Sequence, residues 1–121
     1  MDTPRFEQLV AQAIEDLPEE FRERLENIDI VIAEEPSRTQ LRRSGLKGHD
    51  TLLGLYEGVP LTDRTAGYSF VVPDKISIFQ RPIESSCKND TQIIKEVRRV
   101  VLHEIAHHFG IDDDRLEELG M

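Results

Sequence analysis

Residues 103–113 read His-Glu-Ile-Ala-His-His-Phe-Gly-Ile-Asp-Asp, an HExxH core extended to HExxHxxGxxD. In an α-helix, residues four apart lie one turn above each other on the same face. His103 and His107 can therefore offer two imidazoles to one metal ion. Glu104 lies beside them, where a carboxylate can take a proton from a water held by that ion. Imidazole and carboxylate donors around one open position suit zinc. A bare HExxH arises by chance in long sequences; the extension by Gly110 and Asp113 sets this stretch apart. Gly110 follows Phe109 where a left-handed C′ glycine would end the helix and turn the chain back toward the histidines. Asp113 stands at the third-ligand spacing of HExxHxxGxx(H/D) sites. Asp112 and Asp114 compete for that role, and Asp112 or Asp113 can equally cap a short helix over Arg115 to Leu119.

The helix that must carry these groups announces itself by periodicity. Ile93, Ile94, Val97, Val100 and Val101 form an i, i+1, i+4, i+7, i+8 stripe, the core face of an amphipathic helix. Glu104 and His108 fall in line with that stripe, with His107 at its edge, while the apolar positions shift to Leu102, Ile105 and Phe109. Charged groups in line with a core face are costly unless paired or metal-bound. The pattern describes a helix that enters a core and ends at a buried polar site, and excludes a simple surface helix. Asn89 with Gln92 three residues on predicts a capping box at its start.

Upstream, Thr3 is expected to cap a first helix with Pro4 at its first position and Phe6, Leu9, Val10 and Ile14 as its buried stripe. Pro18 begins a second, short helix through Phe21 and Leu25. Ile28–Ala33 is a β-rich run and the first strand. Residues 36–50, with Pro36, Ser37, Ser44, Gly45, Gly48 and His49, read as a loop. Leu52–Glu57 is a second strand closed by Gly58-Val59-Pro60, residues 61–68 a second loop, and Ser69–Val72 a strand or extended rim. Lys75–Gln80, after Pro73-Asp74, is the last strand. Helices, then strands, then a C-terminal metal helix indicate an α+β domain, a small twisted sheet with helices packed on one face.

The 121 residues suffice for one domain with its own core. A formal net charge of −9 predicts repulsion from nucleic acid and from anionic membrane surfaces. Arg42-Arg43 and Arg98-Arg99 are isolated basic pairs that do not offset it. The single Cys87 cannot form an internal disulfide, which fits a reducing cytoplasm, and its place after Ser85-Ser86 reads as an incidental position in a polar loop. The Met-Asp-Thr-Pro-Arg start shows no signal peptide, and no apolar run approaches a membrane span.

Three stretches, HEIAHHFGIDDD at 103–114, LLGLYEGVPLTDR at 52–64 and PDKISIFQRPI at 73–83, make the chain resemble the minimal zincins, the small bacterial zincin-like metallopeptidase domains. Residues 1–27 carry little that is diagnostic. The resemblance implies a mixed sheet whose edge strand borders the metal cleft, with room for an extended peptide by strand addition; KISIFQ is the strand expected there. It further implies zinc held by His103, His107 and Asp113, Glu104 as general base in peptide hydrolysis, and a peptide or protein as substrate; a monomer is expected. Tyr56, Tyr68 and His49 are candidate oxyanion donors, although packing or surface roles are commoner for lone Tyr and His. His108 reads either as a partner to a metal ligand or, preferably, as a buried histidine satisfied by backbone. Metzincins share the motif but need a methionine turn after the third ligand, and only Met121 follows. A non-catalytic zincin that keeps metal as a binding or regulatory module, and a hydrolase of non-peptide amides, would use the same residues. Glu104 favours catalysis, because a structural zinc does not need it.

Overall fold

The computed structural model describes residues 1–45, 52–58 and 74–110. Five α-helices, one 3-10 turn and three strands lie among them: α1 Thr3–Glu15, α2 Glu19–Arg24, the turn Leu25–Asn27, β1 Ile28–Ala33, α3 Arg38–Ser44, β2 Gly54–Glu57, β3 Asp74–Phe79, α4 Gln80–Ser86 and α5 Asp90–Phe109. Residues 46–51, 59–73 and 111–121 lie outside the description, and with them His49, Tyr68, the expected 61–68 loop, the Ser69–Val72 segment and Asp112–Asp114.

The sheet is mixed, with order β1-β3-β2. β1 runs parallel to β3, from Ile28 opposite Asp74 to Ala33 opposite Phe79. β2 runs antiparallel to it, from Gly54 opposite Ile78 to Glu57 opposite Lys75. KISIFQ is therefore the central strand, which corrects the expectation that it borders the cleft as an edge. The reason is legible in its side chains: Ile76, Ser77, Ile78 and Phe79 are all buried, and a strand buried on both faces belongs inside a sheet. Among the described residues the edge beside the HExxH helix is β2.

Alternation along paired strands puts Ile30, Ile76, Ile78, Gly54 and Tyr56 on one face. The long helix α5 packs there through Ile93, Val97, Val101, Leu102 and Ile105, and α1 joins the same core through Phe6, Leu9, Val10 and Ala13. Gly54 is the point of closest approach. A Cβ on it would fall under 3.0 Å from Val100 Cγ1 and at 3.1 Å from the Ser77 carbonyl oxygen, so only glycine lets strand and helix meet there.

Several local expectations shift by a residue or an element. Asp2 is the N-cap of α1, its carboxylate accepting from the Arg5 amide at 3.1 Å, and Pro4 sits in the first turn. Thr3 instead donates its hydroxyl to Gln80 Oε1 at 3.2 Å. Gln80, only 5% exposed, in turn donates to the Met1 carbonyl and to Glu84, so a buried amide with all its partners pins the chain start to α4. In α1, Ala13 takes the buried place expected for Ile14. The expected 36–50 loop contains α3, opened by a complete Ser37–Gln40 capping box and closed by left-handed Gly45. Cys87 is the C-cap of α4, half-buried and unbridged. No helix among the described residues is long and apolar enough to cross a membrane.

Candidate metal centre

The helix α5 starts and stops as its sequence predicts. The Asn89 side chain accepts from the Gln92 amide at 2.9 Å. Gln92 reaches one residue further back than a strict capping box, taking the Lys88 amide at 2.7 Å. At the other end Gly110 adopts φ 70° and ψ 28°, its N–H returning to the Ala106 carbonyl. That left-handed turn is the reversal a third ligand beyond Gly110 would require.

Seven α5 residues between Ile93 and Ala106 are buried, and the polar groups occupy the last turns. His103 and Glu104 are half-buried, and His107 is exposed. The His103 and His107 rings stand edge to face, with centroids 6.2 Å apart. Two imidazoles on one tetrahedral zinc, bonded at about 2.0–2.1 Å, need centroids roughly 5 Å apart. Side-chain rotation that brings the rings about an ångström closer gives that spacing, so the pair fits a shared ion. Burial raises the Glu104 carboxyl above its ordinary pKa, a shift partly opposed by the charge of His107. A carboxylate held half out of water beside two imidazoles suits a proton acceptor.

These side chains open onto a cleft of about 370 Å³ whose walls include His103, Glu104, His107, Val100, Leu53 and Gly54. Arg99 lines it as well, its guanidinium ion-paired with Glu96 one turn back. The sequence places Arg99 only in an isolated basic pair, and Gly54 carries no signal beyond a glycine at a strand start. Among the described residues no three His, Cys, Asp or Glu side chains converge as a metal cage. The structure brings His103, Glu104 and His107 together; Asp113 and its neighbours Asp112 and Asp114 lie outside the described residues.

His108 departs from expectation. It is exposed rather than buried and stacks on Tyr56, with ring centroids 4.0 Å apart and planes inclined by 14°. The Tyr56 hydroxyl donates to Asp74 Oδ2 at 2.7 Å. Tyr56 thus clamps the last turn of α5 to the sheet, which is the packing role and not that of an oxyanion donor. Phe109, expected to continue the apolar stripe, is 42% exposed and lies under the Arg24 guanidinium at 4.7 Å. One turn past Ile105 the helix has left the core, so the stripe no longer predicts burial.

The model of the zincin-like metallopeptidase family matches residues 25–121 of this chain. Among solved structures, the chain is similar to a conserved hypothetical protein from Thermus thermophilus. The two are 22% identical, the alignment covers 90% of this chain and 94% of that one, and the TM-score is 0.55. At that identity the likeness speaks for the fold alone. No curated protein matches significantly.

Proposed function

This chain belongs to the zincin-like metallopeptidase family, and from that premise we propose that it hydrolyses peptide bonds with zinc held by His103, His107 and Asp113. The observation that carries the proposal is the half-buried Glu104 carboxylate beside two imidazoles one helical turn apart, in a cleft walled by Gly54 of β2. Zinc, when bound, supplies a Lewis acid that polarises a peptide carbonyl and makes water a nucleophile near neutral pH. Glu104 accepts the proton lost by the attacking water and returns it to the departing amine nitrogen as the C–N bond breaks. Its raised pKa suits both halves of that transfer.

β2, the edge strand among the described residues, would offer main-chain groups to an extended peptide running along the cleft as an added strand. Tyr56 is left out of the chemistry because its hydroxyl donates to Asp74. The partner expected is a peptide or protein acting as substrate to a monomeric enzyme, and the net charge of −9 disfavours polyanions.

The test compares zinc-loaded wild type with zinc-loaded Glu104→Gln on a broad peptide mixture. Retained zinc with cleavage reduced by at least about a hundredfold is the expected result for a general base. Equal cleavage assigns the activity to another group. Cleavage by neither moves the reading to a metal-holding binding module.

A further inference from the structure

A second, larger cleft of about 630 Å³ opens next to the HExxH cleft, and Leu53 lines both. Much of its wall is apolar, with Pro36 after β1, Leu41 on α3, Leu52 and Leu53 leading into β2, and Pro82 on α4, beside Glu35, Arg81 and two serines of α4. We propose that this cleft receives a bulky, uncharged apolar side chain of the peptide, within about two residues of the scissile bond, and so sets substrate preference. The inference rests on the peptidase reading above for the identity of the ligand.

Three observations define the occupant. The volume lies within the range of sites that enclose small ligands, about 300–1,000 Å³, and exceeds that of the HExxH cleft, so the larger space is not where the histidines are. The charges at its rim are matched to each other, Arg81 Nη1 standing 3.4 Å from Glu35 Oε1. The Pro36, Leu41, Leu52, Leu53 and Pro82 side chains carry no group to replace the water that a charged side chain packed against them would lose. Leu53 directly precedes Gly54, and an extended peptide advances about 3.3 Å per residue with alternating side chains. A peptide lying across His103 and Glu104 along β2 thus brings a side chain one or two residues away to the mouth of this cleft.

The walls are well placed to hold their shape. Arg81 donates its main-chain N–H to the Glu34 carbonyl at 3.0 Å, and Phe79 donates to the Leu53 carbonyl at 3.0 Å. These bonds tie the start of α4 and the entry of β2 to the same end of the sheet.

The probe is acetyl-phenylalanine amide, titrated into the purified protein with labelled leucine methyl groups and followed by NMR. Saturable shifts at Leu41, Leu52 and Leu53, absent at Leu102 in the core and absent with acetyl-lysine amide, are expected. Ser85→Trp, at an exposed position lining the cleft, should abolish them while leaving zinc uptake unaltered. Leu41→Asp is a second block that leaves the buried core intact. A silent titration, or an equal response to the lysine amide, overturns the proposal.

Cleavage of a peptide library by the zinc-loaded protein supplies the independent arm. Phe or Leu should be preferred over Ala by roughly tenfold or more in kcat/KM at one position beside the bond, and Ser85→Trp should erase the preference. Cleavage without any such preference also overturns the proposal. Methyl shifts without cleavage of any peptide would establish the pocket and remove the peptidase reading.

Discussion

Replacing Gly54 by alanine is the sharpest single perturbation of the joint between sheet and motif helix. The added Cβ would fall under 3.0 Å from Val100 Cγ1, whereas carbon atoms in good contact stand about 3.5–4.0 Å apart. Val100 is β-branched and held near one χ1 rotamer on a helix, so it cannot readily swing aside. The second neighbour, the Ser77 carbonyl oxygen at 3.1 Å, is main chain of the central strand and gives little. The clash must then push α5 away from β2, at the usual cost of overpacking, about 1–3 kcal/mol. Loss of glycine's freedom in the unfolded chain returns about 0.4–1 kcal/mol. The net loss is about 1–2 kcal/mol, which for a domain of this size lowers Tm by roughly 3–10 °C. Val100→Ala removes the offending methyl and leaves a small cavity. In a double-mutant cycle by thermal and denaturant melts, Gly54→Ala combined with Val100→Ala should be more stable than additivity predicts, by about 1 kcal/mol. Additive effects, or Gly54→Ala melting at or above wild type, would refute the close approach as the reason for glycine.

Purified protein should take up about one zinc per chain with roughly nanomolar affinity or tighter. His103→Ala with His107→Ala should abolish uptake and Cys87→Ala should not, as calorimetry or a competing chelator will report. Asp113→Ala should weaken zinc markedly, whereas Asp112→Ala and Asp114→Ala should change stability by no more than a helix cap, about 1 kcal/mol; metal held through either neighbour instead would overturn the ligand assignment. Because burial raises the folded-state pKa of Glu104, its contribution to stability is full below the ordinary carboxylate pKa and is lost as pH rises through the raised value. Metal-free Glu104→Gln should accordingly melt at the same or a higher temperature than wild type at neutral pH, and a clear drop in Tm would show that the carboxylate has a structural partner.

What can be read from residues alone tracks where a single physical signal dominates. β1 spans the Ile28–Ala33 run, and α5 lies between its Asn89 cap and Gly110, because β-branched density and capping chemistry are local. Helix α3 escapes a reading by periodicity because it buries none of its residues: with no apolar stripe, only the Ser37–Gln40 box and Gly45 mark it. Helix α4 is hidden by Pro82, which reads as a breaker although the first turn tolerates proline. The strand order depends on which of two apolar runs finds partners on both sides, a tertiary matter. Within the site, the His103–Glu104–His107 spacing is legible because helix geometry alone creates it. The place of His108 is not, because its neighbour Tyr56 comes from a strand far away in sequence, and no periodicity reports a stack between elements.

The strand order also bears on the order in which the sheet can assemble. Among the described residues β1 and β2 share no hydrogen bonds and both pair with β3, the last of the three to emerge during synthesis. Until Asp74–Phe79 is available, the two earlier strands lack the central strand that joins them. Closing the parallel Ile28–Asp74 contact then costs the entropy of a long loop before any ladder repays it. The parallel β1–β3 ladder and the helix that follows it should therefore assemble late, and a ribosome-bound chain halted before residue 74 would lack the strand that β1 pairs with.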